Sequence, residues 1–586
     1  MPSEPLLNAI ELANFQSISK RSRIDFRDLT LLYGPNSAGK SALNDALELG
    51  KAISKIGPDW AEVSQMVDRW ASRIPTEDNL KYRETQEALG LRPSKYRTLS
   101  LGFEVSFSFD DPCDDRQAFG LRPDRVGKIG GWLNVENDLD DPLSCDWPRG
   151  VAQIEFTVSL QDGVTANSGS LIFNNFKINV RGRPLIEIYN KGRDWNPEAD
   201  DSILRVYDSW LYDIGIPESD VPEEKTSKLG TTPYYEIDVR PVCRLGSLAA
   251  EDDSWAFVNG EKLIDTGEEI IRYFLSLLHF CLIGGPPLVP ADRRIPYSRL
   301  NLSEVNLDYT SHWWTNSESS PVAPLKNLTS QRVDEDFYVS KLALLTHCHS
   351  LRQAINSKEW GSDWAREKFS KLGKFDYEQN ASQLDQINKY LSEDLFSDRL
   401  YQLKGSSILM VPLDIEVDDP YNSYYILAQP ALTSLYLVDG SGGRVELRDV
   451  GSGIPFILPV LLAMTESGYK FIQQPELHLH PALQSALADV FIRQIKATVG
   501  PSIIETHSEH LLLRVLRRIR ETTAGKLLDE SLSLSVDEVS VYYFDPQVSG
   551  ETRVIRIHLT PTGDFRNRWP KGFFEERSTD LFDNND

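Results

Sequence analysis

The stretch that decides the fold lies near the N-terminus and reads Gly34-Pro35-Asn36-Ser37-Ala38-Gly39-Lys40-Ser41. It fits the phosphate-loop pattern GxxxxGK[ST]. The apolar run Leu29–Tyr33 before it predicts a strand. After it, Leu43, Ala46 and Leu47 follow helical spacing. Because this motif requires a loop between a strand and a helix, the sequence predicts a nucleotide-binding α/β core at this point.

The residue types of this loop suit a nucleoside triphosphate bound with magnesium. Backbone amides of the loop and of the following helix N-terminus would hold the α- and β-phosphates. Lys40 would reach the β- and γ-phosphates, and the Ser41 hydroxyl would bind Mg²⁺. We therefore predict residues 34–41 as the nucleotide-binding loop, with Ser41 as the metal ligand.

Composition narrows the class of protein. The 586 residues are 40% hydrophobic and 25% charged, which is typical of a folded chain. The net charge of -25 argues against a bulk nucleic-acid coat but leaves a local basic groove open. No apolar run reaches the roughly 20 residues of a membrane-spanning helix, and no secretory signal is evident. With five singly scattered cysteines, the sequence predicts a cytoplasmic protein without a membrane partner.

A second constellation follows more than 400 residues later. Gly451, Ser452 and Gly453 form a small-residue turn before the apolar helix predicted at Phe456–Met464. Such a turn exposes backbone amides and a hydroxyl that could grip a γ-phosphate. By itself, the turn favours a simple loop before a core helix over a phosphate-binding turn.

Two further motifs complete a recognisable order. Phe471–Pro481 contains the letters QQPELHLHP, and Ser502–His510 contains Thr-His-Ser after an apolar strand. Phosphate loop, signature turn, QPELHLHP and Thr-His-Ser in this order resemble the ABC-type ATPases of the RecF, SMC and OLD group. More narrowly, the chain resembles bacterial AAA-family ATPases that carry LHLHP and end in a small domain of unknown function. The segment Trp569–Glu576 of this chain fits the closing segment of that domain.

The resemblance implies an α/β fold: an ABC-type P-loop ATPase head with a mixed sheet and an antiparallel β lobe, plus an inserted helical subdomain. Alternating strands at 153–159, 171–180 and 234–239 are typical of such a lobe, and the polar stretch 337–403 has helical spacing. We expect four parts. They are the N-terminal part of the head with the β lobe (1–330), a helical insertion (331–405), the C-terminal part of the head (406–525) and a small C-terminal domain (526–586).

The resemblance also implies how the site works. In this group two heads sandwich ATP, so Gly451, Ser452 and Gly453 would act in trans on the partner's nucleotide. His507 matches the switch histidine that touches the γ-phosphate, although a histidine packed in the core is the alternative. The implied ligands are ATP and Mg²⁺. The implied self-partner is a head-to-head dimer or a higher homo-oligomer.

The second nucleotide motif departs from the family pattern. Gln473 and Gln474 stand where acidic residues usually bind magnesium and activate water. A glutamine amide can hydrogen-bond a water molecule that is bound to magnesium, so Gln473 and Gln474 are still expected in the ATP-binding site. An amide brings no negative charge, however, and cannot act as a general base. Glu476 or Glu505 could supply the missing carboxylate, or both could be structural. We predict an ATPase that binds ATP, dimerises and hydrolyses slowly, with Glu476, Glu505 and His507 as catalytic candidates.

Three functions remain open on the sequence. The favoured one is an ATPase that regulates a separate effector, such as a nuclease on another chain, in antiphage defence. No Asp-x-Asp cluster for a two-metal nuclease follows His510. The second is a RecF-like DNA-clamping ATPase of repair or maintenance, and the third is a scaffold that never turns ATP over.

Several secondary features are open too. The arginines at 514, 517, 518 and 520 form either a DNA-facing patch or a solvated helix face. Arg293 or Arg294 either touches phosphate or a partner, or lies on a solvated loop. His478 and His480 are interpreted as loop structure rather than a metal pair.

Overall fold

A computed structural model provides the structure of the protein. It divides into two compact units, Met1–Gly284 with Ser540–Ile557 and Gly285–Val539 with His558–Asp586. The residues that the structure describes are 6–55, 58–71, 97–108, 149–160, 171–180, 182–190, 202–207, 234–239, 259–283, 288–293, 300–301, 338, 341–350, 352–353, 377–408, 432–566 and 569–570.

The strands are β1 Leu6–Ala13, β2 Ser22–Asp25, β3 Leu29–Tyr33, β4 Arg97–Ser108, β5 Arg149–Leu160, β6 Leu171–Val180, β7 Arg183–Asn190, β8 Ser202–Tyr207, β9 Tyr234–Val239, β10 Leu300–Asn301, β11 Gln402–Ile408, β12 Leu432–Val438, β13 Arg444–Glu446, β14 Lys470–Gln473, β15 Ser502–Glu505, β16 Val539–Pro546 and β17 Thr552–Ile557. The α-helices are α1 Ala42–Ser54, α2 Trp60–Trp70, α3 Asn259–Ile283, α4 Tyr377–Lys389, α5 Gly453–Thr465, α6 Pro481–Ala497 and α7 Glu509–Thr523.

An eight-stranded antiparallel sheet dominates the first unit. Its strand order is β2-β1-β4-β5-β6-β7-β8-β9. Alternating apolar residues of β4 and β5, such as Phe103 and Phe156, are buried on one face, as the period of two in these strands requires. Helix α1 packs closely on this face because Gly50 has no side chain: a Cβ there would lie 2.4 Å from the Phe103 ring. The sheet is the antiparallel lobe that the sequence predicts.

The phosphate-loop region belongs to the same unit. All five residues of β3 are buried, which fits a strand inside a core. The antiparallel hairpin β16–β17 lies next to β3 in sheet order. The hydroxyls of Thr30 on β3 and Ser540 on β16 are 3.0 Å apart. The strand, loop and helix order that the sequence predicts is therefore confirmed.

The second unit contains a short antiparallel sheet and a parallel strand pair. The sheet has the order β10-β12-β11, with β13 paired to β12. Strands β14 and β15 run parallel, in a register that places Gln473 beside Glu505. Helix α5 is apolar and buried from Ile454 to Met464, as the sequence predicts. Residues 341–350 are helical, as is α4, and a π-helix at Tyr390–Leu395 follows α4.

Parts of the sequence predictions fall on residues that the structure leaves undescribed. The middle of the helical insertion, at 354–376, and the closing segment after residue 570 lie outside the described residues. The four-part division of the chain stays a prediction. Within the ranges that the structure covers, no helix combines the length and apolarity needed to cross a membrane.

Candidate functional site

The phosphate loop curls between β3 and α1. Gly34 has φ of 145°, and a Cβ there would lie 2.6 Å from the Phe544 carbonyl oxygen of β16, so only glycine fits. Lys40 is 3% exposed, and its Nζ donates hydrogen bonds to the carbonyl oxygens of Gly34 and Pro35, each at 2.9 Å. The Lys40 side chain thus reaches back across the loop, and its ammonium group lies against the two carbonyl oxygens at the start of the loop.

Two residues that sequence reasoning missed support this loop. The Thr552 hydroxyl at the start of β17 donates to the Ala38 carbonyl oxygen at 2.9 Å and lies 2.8 Å from the Ser17 hydroxyl. The Thr552 amide donates to the Ser17 carbonyl oxygen at 2.6 Å. Ser17 approaches so closely that a Cβ on Gly39 would lie 2.4 Å from its hydroxyl. Ser17 and Thr552 are 535 residues apart, so no local sequence signal predicts their contact.

The start of α1 carries polar groups that could bind a phosphate and a metal ion. Ser41 is exposed and its side chain does not cap α1. Asp45, one turn later, accepts a hydrogen bond from Gln16 Nε2 at 2.5 Å. Burial raises the pKa of Asp45, and the bond from Gln16 opposes that shift. The tight glycine loop, Lys40 and the exposed Ser41 hydroxyl fit the triphosphate and Mg²⁺ that the sequence predicts.

The second nucleotide motif lies in the second unit, at the end of β14. The side-chain amide of Gln473 donates to Glu505 Oε2 at 3.3 Å across the parallel pair. The backbone amide of Gln474 donates to the Glu505 carbonyl oxygen at 2.6 Å. Gln474 has φ of 43°, an uncommon left-handed conformation for a residue with a side chain. The chain therefore turns sharply at the end of β14. The Glu505 carboxylate lies at the end of the neighbouring strand, β15.

Glu476 connects this turn to the switch histidine. Its Oε1 accepts a hydrogen bond from the His507 backbone amide at 2.7 Å. Glu476 is 8% exposed, so its carboxylate is buried. Burial raises the pKa of the Glu476 carboxyl, which the His507 amide partly opposes. The carboxylate thus holds the backbone of the residues around His507, the switch segment, while the His507 residue itself is half-buried.

The LHLHP stretch forms a loop in which the two histidines have different roles. His480 is the N-cap of α6, its ring accepting from the Ala482 amide at 3.3 Å, and Pro481 takes the first helical position, where proline is favoured. His478 has φ of 63°, and its ring lies 4.4 Å from that of Phe456 on α5. Both histidines serve the loop, as the sequence interpretation expects.

The signature turn packs directly on this loop. Gly451 and Ser452 are exposed, and the Ser452 side chain makes no capping hydrogen bond to α5. A Cβ on Gly453 would lie 2.8 Å from the His478 carbonyl oxygen, so the third signature residue must be small. The turn therefore presents two residues to solvent and anchors the third on the second motif.

The arginines of the basic helix after the switch histidine bind partners within the protein. Arg514 and Arg518 both bind the Asp489 carboxylate, and Arg517 binds Glu521. Arg520 donates to the carbonyl oxygens of Thr562 and Gly563. With the guanidinium groups committed in this way, the geometry favours a paired helix face over a DNA-facing patch.

Arg293 differs from both sequence interpretations. It is 3% exposed, so it neither lies on a solvated loop nor reaches a ligand from the surface. All of its described hydrogen bonds go to backbone carbonyl oxygens of its own unit. Arg294 lies outside the described residues.

The structure therefore groups the predicted residues in two sets. The phosphate loop, Gly34 to Ser41, lies in the first unit. Gly451–Gly453, Gln473, Gln474, Glu476, Glu505 and His507 lie in the second, where hydrogen bonds and packing join the ends of β14 and β15, the loop after β14 and the start of α5.

Comparisons with known proteins bear on this arrangement. Residues 335–512 match the family model described as AAA ATPase domain, and residues 534–583 match a protein family of unknown function, DUF3696. No curated protein matches the chain. The first match includes the second motif and the switch histidine, and the second matches the predicted C-terminal domain of unknown function.

Solved structures with low similarity include an Smc head bound to the C-terminal winged-helix domain of ScpA (10% identity, covering 94% of this chain and 98% of that chain, TM-score 0.36). Others are the SMC head domain from Thermotoga maritima (9%, 94% and 99%, TM-score 0.31) and a RecF recombination mediator with a bound ATP analogue (10%, 94% and 99%, TM-score 0.27). These TM-scores lie below 0.5, so the assignment rests on the motifs and on the family match. Residues 335–512 are thus similar to an AAA ATPase domain, and the phosphate loop and the order of the motifs resemble those of ABC-type ATPases.

Proposed function

We propose that this protein binds ATP with Mg²⁺ at its phosphate loop, dimerises on ATP head to head, and thereby regulates a separate effector protein. The observation that carries the proposal is the phosphate loop itself. Lys40 is buried against the loop carbonyl oxygens, and Gly34 and Gly39 leave no room for side chains. The exposed Gly451 and Ser452 support a trans contact, because an incoming phosphate could reach their backbone amides.

Slow hydrolysis belongs to the same proposal. Gln473 and Gln474 cannot accept a proton from water at neutral pH. Glu476 is occupied with the His507 amide. Glu505 is the carboxylate that accepts a hydrogen bond from the Gln473 amide, and Gln473 stands where the resemblance expects a metal-binding residue. We assign Glu505 the role of holding the magnesium-bound water through Gln473, and Glu476 the role of holding the switch segment.

The effector role is favoured over the DNA clamp by charge. The chain carries a net charge of -25, and the arginines of α7 are paired within the protein. A clamp on duplex DNA needs unpaired cations that displace counterions. Antiphage defence, with a nuclease as effector, is proposed from the family resemblance of the motifs.

The testing experiment measures mass in solution and ATP turnover with and without ATP and magnesium. We expect an ATP-dependent doubling of mass and slow turnover. Ser452→Arg should block the dimer and leave nucleotide affinity unchanged, because the exposed side chain lies outside the phosphate loop. Ser441→Arg, on another exposed turn of the same unit, is the matched control and should dimerise normally. ATP-driven dimers in Ser452→Arg would contradict the head-to-head arrangement.

A second measurement separates regulator from clamp. The regulator should form a stable complex with an effector only when ATP is bound, and should bind duplex DNA weakly. ATP-dependent DNA binding that weakens steeply with salt would support the clamp instead. In cells, loss of phage resistance in Ser452→Arg, with resistance kept in Ser441→Arg, is the expected result for a defence role.

A further inference from the structure

One buried arginine joins the two motifs of the second unit. Arg293 Nε donates to the Phe456 carbonyl oxygen in the first turn of α5 at 2.8 Å. Its Nη1 donates to the Gln473 carbonyl oxygen at 2.8 Å, and its Nη2 donates to that of Gln474 at 3.0 Å. A single side chain thus binds helix α5 and the end of β14 at once.

The backbone around Arg293 is fixed to the same strand. Val289 forms a parallel bridge with Ile472 of β14. Its amide donates to the Phe471 carbonyl oxygen at 3.0 Å, and its carbonyl oxygen accepts from the Gln473 amide at 2.9 Å. Nη1 of Arg293 also contacts the carbonyl oxygens of Pro290 and Ala291. The segment therefore extends the edge of β14 and delivers the arginine to the end of that strand.

Only a guanidinium can make these bonds together. Its five N–H groups form a planar fork, whereas lysine has a single ammonium with three donors. A buried cation is costly unless its donors are satisfied, and the described contacts give Arg293 five backbone acceptors. Burial lowers its pKa to about 10, while the Glu476 charge opposes that shift. The guanidinium is therefore charged at neutral pH.

Two packing contacts join the same segments. The third signature residue, Gly453, lies against the His478 carbonyl oxygen, and the His478 ring lies against Phe456. Glu476 extends the connection to the backbone of His507. The start of α5, the loop after β14 and the switch segment are thus one connected body, with Arg293 at its centre.

We propose that Arg293 is a positioning residue that couples the signature turn to the second nucleotide motif. A phosphate contact at the signature turn would then act on the placement of Gln473, Gln474 and the switch segment through α5 and this guanidinium. The mechanical coupling stands on the contacts above, and its consequence for dimerisation rests on the proposed function.

The test uses Arg293→Lys in the full-length protein, with Arg518→Lys as matched control. The control makes the same chemical change to an arginine that binds Asp489 and Glu521 in the same unit. Hydrogen exchange of residues 451–456 and 473–480 is measured by mass spectrometry without nucleotide. We expect exchange in both segments to rise at least about tenfold in Arg293→Lys, a change of about 1.4 kcal/mol in local opening, and to stay unchanged in Arg518→Lys.

A second variant guards against general unfolding of the first. His478→Asn removes the ring contact from an exposed position, and asparagine tolerates the left-handed backbone there. It should raise exchange in the same two segments to a smaller extent. Exchange that rises evenly across the second unit, or that leaves both segments unchanged in both variants, would overturn the coupling.

Nucleotide measurements connect the coupling to function. Arg293→Lys should keep the affinity for a fluorescent ATP analogue within about threefold and lower ATP-driven dimerisation at least tenfold. Normal dimerisation in that variant would overturn the coupling. If the unaltered protein does not dimerise with ATP, the proposed function fails, and the exchange measurement alone decides whether Arg293 couples the two segments.

Discussion

Replacing Gln473 by glutamate tests the pairing at the end of β14 directly. The Gln473 amide nitrogen lies 3.3 Å from Glu505 Oε2, and Glu505 is 6% exposed. The substitution would put two carboxylates at about that separation. At an effective dielectric constant of 20, two like charges 4 Å apart repel by about 4 kcal/mol. After screening at the half-buried Gln473, we expect Gln473→Glu to lower the free energy of unfolding by about 2–4 kcal/mol in the absence of divalent cations.

The assay is thermal unfolding in EDTA and in millimolar Mg²⁺, at low ionic strength. The melting temperature of Gln473→Glu should fall by roughly 3–7 °C in EDTA and recover with Mg²⁺, because a cation would neutralise the paired carboxylates. Gln473→Met is the uncharged control. It loses one hydrogen bond, worth about 0.5–1.5 kcal/mol, and should not respond to the cation.

The swapped double variant, Gln473→Glu with Glu505→Gln, completes the test. It keeps one amide and one carboxylate in contact, with the carboxylate moved to the usual position of the family. Its stability should be close to that of the unaltered protein. If Gln473→Glu is as stable as the unaltered protein in EDTA, or if the swap is as unstable as Gln473→Glu, then the two side chains do not interact as the structure places them.

Three further predictions follow from other parts of the molecule. Lys40→Ala should weaken ATP binding about 10- to 100-fold, because hydrogen bonds to charged groups are worth about 1.5–3 kcal/mol; titration with a fluorescent analogue measures this, and unchanged affinity would remove the lysine from the site. Gly453→Ala should cost about 1–3 kcal/mol of stability, since its Cβ would lie 2.8 Å from a carbonyl oxygen, whereas Gly451→Ala, with nothing within 4 Å, should be near neutral in urea unfolding; equal effects would contradict the packing of the turn. Burial lowers the pKa of His279 from 6.5 to about 4. The unfolded chain therefore binds the proton first, and the free energy of unfolding falls as the pH drops from about 6.5 toward 4. His279→Asn should lose less stability than the unaltered protein between pH 7 and pH 5, and an identical loss would refute the assignment.

The expected slow turnover also has a structural reason. The end of β14 carries amides where a metal ion prefers carboxylates. The nearest carboxylate on the neighbouring strand, that of Glu505, hydrogen-bonds one of those amides. Turnover that disappears in Glu505→Gln and persists in Glu476→Gln is the outcome that our assignment of the two carboxylates predicts.

The sequence by itself determined the local elements of the site. The strand, loop and helix around Lys40, the buried helix α5 and the strand before Gln473 could all be predicted, because apolar periodicity and glycine position are local properties. The order of motifs carried the resemblance to ABC-type ATPases, and the family match over residues 335–512 agrees with it. The same local information left the roles of Glu476 and Glu505 open, since both stand within a few residues of the second motif or of the switch histidine.

Only the tertiary structure decided what those residues contact. The register of β14 with β15 puts Glu505 beside Gln473, and the turn at Gln474 sends the Glu476 carboxylate to the His507 amide. Arg293 lies 180 residues before Gln473, yet it is bonded to it. The physical reason is that side-chain hydrogen bonds form between groups brought together by packing, and sequence distance carries no information about that proximity.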